Sequence, residues 1–452
     1  MSSRRRSRAI ALATLAAFAS ILTAAACGLD LQGQAGDNTT GDGSPTGDGS
    51  GGDGSTGGDG DPQGDGNGGD GGPGSDGSPD VVLPPADCGA SPQVLEISAG
   101  GDHTCAVVSG GCVYCWGSNV DGELGVDSGK APAGPSIVPF IYNATHVAAG
   151  GDFGAPPQFS CAGLDNGEVE CWGSNQYGQF GTGDNDPPGA SPPYKFNPGA
   201  GKVLEISLGR LHGCARFEQG TRCWGANNAA QLGRGNTMTP GGPAPLSGGP
   251  AITSIGGAGV DHTCATTTGD TLLCWGSNDQ KQVDPTGPAG PNTTPLTRGD
   301  PLGVVQVSSG NKFSCAVLSD AGTSCWGYNT SAQLGRTAAS PAAPGAVNFP
   351  TPQSTDQITA GLSHACAKTS DGGVWCWGQN GKGQAGQDGG ASAQVPATVN
   401  LPPATLVTAG NAHSCALLAD HTVQCWGDNS ALQLGAADAG ASSYTPVTVT
   451  FP

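Results

Sequence analysis

The sequence predicts an all-β fold: a seven-bladed β-propeller with disulfide-bridged hairpins, preceded by a signal peptide and a disordered Gly/Asp-rich tether. Three observations carry this. Cys-Trp-Gly triplets begin at Cys115, Cys171, Cys223, Cys274, Cys325, Cys376 and Cys425, and a period of about fifty residues matches one propeller blade per repeat. Each triplet is preceded by a second cysteine, giving the pairs Cys105 and Cys115, Cys161 and Cys171, Cys214 and Cys223, Cys264 and Cys274, Cys315 and Cys325, Cys366 and Cys376, and Cys415 and Cys425. With 80 Gly, 35 Pro and 2 Met in 452 residues, the composition suits many tight turns and little long helix.

In chain order, residues 1–26 read as an export signal. Arg4, Arg5, Arg6 and Arg8 form a basic start, and Ala9 to Ala26 is an apolar run of small residues ending before Cys27. This resembles a bacterial lipoprotein signal, in which Cys27 would carry the lipid and hold the chain on the cell envelope, with the outer membrane or cell surface favoured. Ala24 stands where such signals usually have Leu, so cleavage after Ala26 by ordinary signal peptidase, or retention as an anchor, stays open. Residues 27–87 are Gly, Asp, Ser and Pro with almost nothing to bury. Such a segment does not offset its ordering entropy and is expected to be a disordered linker, with a root-mean-square span of about 40–45 Å. Gly71 to Asp76 begins like a calcium-binding nonapeptide, but Ser78 stands where that motif needs an apolar residue, so a solvated spacer is expected.

Residues 88–452 form the predicted propeller. A turn at Gly110 sets Cys105 opposite Cys115, Ala106 opposite Tyr114 and Val107 opposite Val113, which brings both sulfurs to one face within bonding reach. Cys214 and Cys223 are one residue closer in sequence and need a different turn, near Glu218-Gln219. Ala106 and Trp116 fall on the opposite face, where a small residue beside a large one suits close blade packing. The tryptophans after the second cysteines (Trp116, Trp172, Trp224, Trp275, Trp326, Trp377 and Trp426) are therefore expected in the core rather than as an exposed sugar-binding ladder. After each Trp-Gly comes one residue and then Asn, at 119, 175, 227, 278, 329, 380 and 429, which suits a left-handed or Asx turn. A Gln-Leu-Gly-like element follows, then a Pro-rich loop and a short strand such as Val203 to Ile206. Two residues before the first cysteine stand His103, His212, His262, His364 and His413, with Phe159 and Phe313 in the other two repeats. Phe in the series argues for a buried position and against a metal ring.

The formal net charge is −20 with only 17 Lys plus Arg, which excludes phosphate-tracking nucleic-acid binding and attachment to anionic membranes through basic patches. Paired cysteines imply an oxidising compartment. Cys112 and Cys115 have zinc-like spacing without a second half. No nucleophile elbow, phosphate loop or His-Glu-x-x-His is present. Asp102, Asp261, Asp371 and Asp420 fall on predicted turns, where solvated carboxylates are ordinary. No catalytic residue, cofactor or metal is expected.

The pattern Ala-Gly-Gly-x-His-Thr-Cys-Ala, Cys-Trp-Gly-x-Asn and Gln-Leu-Gly, over about residues 94–451, resembles the regulator of chromosome condensation repeat. The resemblance implies a seven-bladed propeller closed by joining first and last strands in one blade, here Thr445 to Val449 beside Val94 to Ile97. The cysteine hairpins depart from the nuclear members, and nucleotide exchange on a GTPase is not carried over. Cys88 and Cys112 are expected to bridge and tie the tether to the first hairpin. Exported bacterial relatives include an inhibitor of β-lactamase, which implies protein binding by a loop face. The expected function is thus an envelope-anchored, non-catalytic, monomeric propeller that binds a protein or glycan ligand, touching the membrane only through its lipid. The loops 126–140, 182–200, 234–250, 283–300 and 336–353 vary enough for recognition. The alternatives are an extracellular hydrolase or lyase at the axial funnel and a passive envelope component.

Overall fold

The computed structural model describes Cys88 and residues 92–452, apart from 130–131, 152–156, 184–192, 240 and 389. The expected signal, Cys27 and the linker lie outside the described residues. Seven four-stranded antiparallel sheets follow one another. Blade 1 consists of Val94–Ala99, His103–Val108, Val113–Gly117 and Ser136–Ile137, from axis to rim. The others start at Ala144, Val203, Ile252, Val304, Thr355 and Ala404. Turns after the innermost strands and loops after the third strands share one side of the wheel, the loop side. The tight hairpins and the links between blades share the other, the hairpin side.

The cysteine spacing does dictate the hairpin register. Cys105 faces Cys115, with Ala106 opposite Tyr114 and Val107 opposite Val113. All seven hairpin pairs are disulfides with Cα atoms 4.0–4.1 Å apart. In blade 3 the strands pair down to Phe217 opposite Gly220, leaving Glu218-Gln219 as the turn. Cys88 and Cys112 form an eighth bridge, and Tyr114 Oη donates to the Cys88 carbonyl.

The core is a set of seams between blades. At each, the disulfide face of one blade packs on the Ala and Trp of the next: Cys105 and Cys115 meet Ala162 and Trp172, and so on round to Cys415 and Cys425, which meet Ala106 and Trp116. The seven tryptophans that follow the second cysteines are at most 1% exposed. Each indole Nε1 donates to a carbonyl of the preceding blade, that of Glu123, Gln179, Gln231, Gln282, Gln333, Gln384 or Gln433, at 2.8–3.1 Å. A buried indole N–H needs such a partner, and the Gln of the Gln-Leu-Gly element supplies it from its backbone.

Three expectations are corrected. First, the Pro-rich stretches contain the fourth strands, such as Asn292–Arg298 and Ser392–Thr398. Pro295, Pro344, Pro396 and Pro446 lie within them, as rim strands permit because one edge makes no ladder. Second, the wheel is not closed by a shared blade. Ser442–Thr448 pairs with Val423–Asp428 in its own blade, and blade 1 is complete without it. Blade 7 instead packs on blade 1, and the tail beyond it reaches across, with Phe451 edge-on to Tyr114 and Trp116 at 5.6 and 5.8 Å. Third, the repeated Asn is not the left-handed residue. That role falls to the Gly after each Trp, with φ from 97° to 111°, and to the residue three after each Asn, with φ from 62° to 88°. The Asn amide brackets the loop: Oδ1 accepts from the residue five ahead, as Leu124 N to Asn119 at 3.1 Å and Leu434 N to Asn429 at 3.1 Å, while Nδ2 donates to loop carbonyls such as Asp127 and Gly440.

Candidate functional site

Two places could carry function, the axis and the loop side. At the axis the free edges of the seven innermost strands converge, and their N–H groups need partners. Side chains of the preceding blade provide them. Ser98 accepts from Ala149 N, Ser207 from Ala258 N, Ser308 from Ala360 N, Thr359 from Ala409 N and Thr408 from Ala99 N, at 2.8–3.2 Å. One level nearer the hairpin side, Glu205, Gln306 and Gln357 accept from Ile255, Ile358 and Val407 N at 2.6–3.0 Å.

Towards the loop side the axis narrows to a ring of glycines: Gly100, Gly150, Gly209, Gly259, Gly310, Gly361 and Gly410 line the neck. A methyl group on Gly150 or Gly259 would lie 2.6 Å from the carbonyl oxygen of the next blade's ring glycine, and one on Gly410 2.5 Å from Gly100 O. The backbones touch, and only the absence of Cβ allows it.

Around this ring sit the five histidines, all fully buried. Each Nε2 meets a hydroxyl of the next blade: His103 with Ser160, His212 with Thr263, His262 with Ser314, His364 with Ser414 and His413 with Thr104, at 2.7–2.9 Å. In the two repeats with Phe159 and Phe313, the corresponding residues of the next blade are Gly213 and Ala365, which offer no hydroxyl. The His or Phe choice thus follows the neighbour. Burial depresses all five imidazoles, His212 and His413 to about 3 and His103, His262 and His364 to about 4. Among the described residues no group of three or more His, Cys, Asp or Glu is placed to hold a metal ion.

The titratable groups at the channel's hairpin end are Glu96, His146 and Glu205. His146 Nδ1 is 3.0 Å from Glu96 Oε2, and that bond raises the imidazole's pKa against the opposing effect of burial. Burial pushes Glu205 up, yet both its oxygens are engaged, by Ser254 Oγ, Ile255 N and Arg216 Nε. These groups join blades 1 to 2 and 3 to 4. The carboxylates foreseen as solvated include Asp371 and Asp420, which accept from Gly373 N and Thr422 N of their own turns. Asp102 differs, being only 7% exposed.

Blade 1 carries Glu123 where the other six have Gln, and its side chain is fully buried. Oε2 accepts from Asp121 N at 2.7 Å, as Gln179 Oε1 does from Tyr177 N. Burial raises the Glu123 pKa, and that of neighbouring Asp121. Ionised Glu123 is therefore penalised above the ordinary carboxylate range and unpenalised below it. Glu123→Gln is expected to gain about 0.5–2 kcal/mol at neutral pH, with the gain vanishing in acid. Urea unfolding at pH 7 and pH 4 measures both.

The loop side has a rigid frame and an uneven surface. Lys312 pairs with Asp279 at 2.8 Å and Lys382 with Asp428 at 3.1 Å, each across a seam. On blades 1, 2 and 3, Val120, Tyr177 and Met238 are 65%, 41% and 75% exposed. The hairpin side exposes Leu95, Phe140, Leu204, Leu302 and Val305, a set that repeat patterning alone did not reveal. Among the described residues no helix is long and apolar enough to cross a membrane. Eight buried disulfides suit an oxidising compartment, extracellular or periplasmic.

Comparison with known proteins supports this architecture. Two models of the regulator of chromosome condensation (RCC1) repeat match, one at residues 94–123, 252–282, 356–384 and 404–433, the other at 110–155 and 371–417. The ultraviolet-B receptor UVR8 of Arabidopsis thaliana is 28% identical over 318 residues, 69% of this chain and 70% of the receptor. The E3 ubiquitin-protein ligase HERC2 of Homo sapiens is 26% identical over 323 residues, 68% of this chain but only 6% of the ligase. Among solved structures, human WBSCR16 superposes with a TM-score of 0.64 at 20% identity, covering 75% of this chain and 94% of that one. Yeast RCC1 (Prp20), solved with Kap60, gives 0.63 at 19% identity, covering 80% and 84%. The repeat matches fall on blades 1, 2, 4, 6 and 7, one packing geometry recurs at all seven seams, and the chain is thus similar to RCC1 repeat propellers in these blades and in its fold.

Proposed function

We propose that this chain is an exported, non-catalytic binding propeller, lipid-anchored through Cys27 to a bacterial cell envelope, which holds a protein ligand on its loop side. The observation that carries the reading is the exposure of Val120, Tyr177 and Met238 on three adjacent blades of one side. Large apolar side chains on a rigid frame are what protein interfaces use as anchors. The catalytic alternative needs carboxylates or imidazoles free to act. The axial ones are instead spent on bonds between blades, as with Glu205 and the five buried histidines. Solved propellers of similar fold bind proteins, yeast RCC1 (Prp20) with Kap60 and Prp20p with Gsp1p and histones. Cys88 is bridged to Cys112 at the hairpin end of blade 1, on the side of the wheel opposite Val120, Tyr177 and Met238.

The test is affinity capture from envelope extracts with the oxidised chain, comparing Val120→Asp/Tyr177→Ser/Met238→Asp with Leu302→Asp/Val305→Asp on the hairpin side. Loss of a specific protein only in the first variant is expected. Loss only in the second would move the site to the other side, and turnover of an envelope polysaccharide or peptide would replace the reading. In the same membranes Cys27→Ser is expected to release the chain into the soluble fraction, and unchanged fractionation would remove the lipid anchor.

A further inference from the structure

The seam between blades 7 and 1 is unlike the other six, because no link between consecutive blades crosses it. It is held by Ala99 N donating to Thr408 Oγ1 at 3.0 Å, by Trp116 Nε1 donating to the Gln433 carbonyl at 3.1 Å, and by the His413 and Thr104 pair at 2.8 Å. His421 Nδ1 also meets Val94 O at 2.9 Å, a bond that a protonated imidazole retains. His413 has no such outlet. In the equivalent seam of His364, Ser414 gives its own proton to the Gln384 carbonyl at 3.0 Å, so the imidazole donates from Nε2, and the same tautomer at His413 leaves Nδ1 without a proton; His103 differs, its Nδ1 facing Gln158 Oε1 at 3.1 Å. Among the described residues His413 Nδ1 has no hydrogen-bond partner, and it abuts Gly410, on which a methyl would lie 2.8 Å away. A second proton there meets no acceptor.

We propose that this seam is an acid-operated latch: protonation expels the His413 ring, and the wheel opens between blades 7 and 1 while the other seams stay joined by their connecting chain. The charged and titratable neighbours support this position. His413 is faced by His364 and His103, which disfavour its charge, and by Asp428, which favours it. His103 is faced by Asp121 and His262 by Asp279, which ease protonation there without opening a seam that the chain already bridges. His212 faces His262, and His364 faces His413. The sign follows from linkage. Closed, His413 titrates at about 3 against an ordinary 6.5, so the latch is unpenalised above pH 6.5 and weakens as pH falls towards 3. At pH 5 a histidine freed to its ordinary value favours the open form about thirtyfold.

Hydrogen exchange of the oxidised full chain at pH 7 and pH 5, corrected for intrinsic rates, tests this. Protection is expected to fall first in Val94–Ala99 and His413–Leu418, with Phe313–Leu318 and Thr355–Ala360, at a phenylalanine seam, unchanged. His413→Phe with Thr104→Ala copies the natural Phe313 and Ala365 pair and should abolish the difference. If that variant does not fold, the unaltered chain still decides: the histidine seam between blades 3 and 4, which the chain bridges, should keep its protection at pH 5 in His212–Phe217 and Ile252–Ala258. Equal loss at that seam or at all seven, or an undiminished response in the first variant, would overturn the latch.

Discussion

Removing one hairpin bridge, with Cys264→Ala and Cys274→Ala together, is expected to cost about 3–5 kcal/mol. Closing so short a loop constrains the unfolded chain by about 3 kcal/mol in the entropy model. The remainder comes from packing, because this pair lies against Leu272, Val283, Val307 and Trp326 and its loss leaves a void at the seam. The effect of removing all the bridges is larger. The cores are narrow seams built around one tryptophan each, and seven such bridges stand in for apolar bulk. Full reduction is expected to unfold the chain below 37 °C. Because every hairpin sulfur is buried, native reduction should be slow and limited by opening. Thermal melts followed by tryptophan fluorescence, with thiol titration to verify reduction, measure this. An unchanged melting temperature in a chain shown to be reduced would sink the account of the bridges as staples.

Gly259→Ala is expected to cost at least about 3 kcal/mol, for a reason unrelated to backbone freedom. The new methyl would lie 2.6 Å from the Gly310 carbonyl oxygen and 2.9 Å from His262 Cε1. Neither is the end of a flexible chain, so blades 4 and 5 must separate, and overpacking at a rigid contact is destabilising. Gly299→Ala is the control. A methyl there meets nothing within 4 Å, and the change should stay within about 0.5 kcal/mol. Denaturant unfolding of the two variants decides it. Equal stabilities would mean that the neck is looser than the contacts require.

The hairpins were legible because a covalent constraint dictates register: two sulfurs on one face allow one pairing. The buried tryptophans were legible from repetition at one structural position. Other features were hidden for physical reasons. The rim strands carry Pro and make a ladder on one edge only, so Asn292–Arg298 reads as loop in a scan for strand pattern. The repeated Asn heads a turn, as its type suits, with Asn227 O accepting from Ala230 N and Asn429 O from Leu432 N, but its side chain also works at a distance of five residues, which residue type alone does not show. The rule linking His or Phe to the next repeat's hydroxyl was present in the residues, His413 with Thr104 and Phe313 with Ala365, but offset by one whole repeat. It emerges only when adjacent blades are compared in contact. The axial neck could not be read at all, since it forms where seven distant glycines meet.

Each blade is an uninterrupted stretch of chain, and Cys88 and Phe451 pack into the same cluster around Tyr114. Start and finish of the wheel are therefore neighbours, and the choice of which blade comes first is arbitrary as far as the packing is concerned. A circular permutant joined across these ends and cut in the link between blades 3 and 4 would keep every sheet whole. Its weakest joint would simply move with the cut.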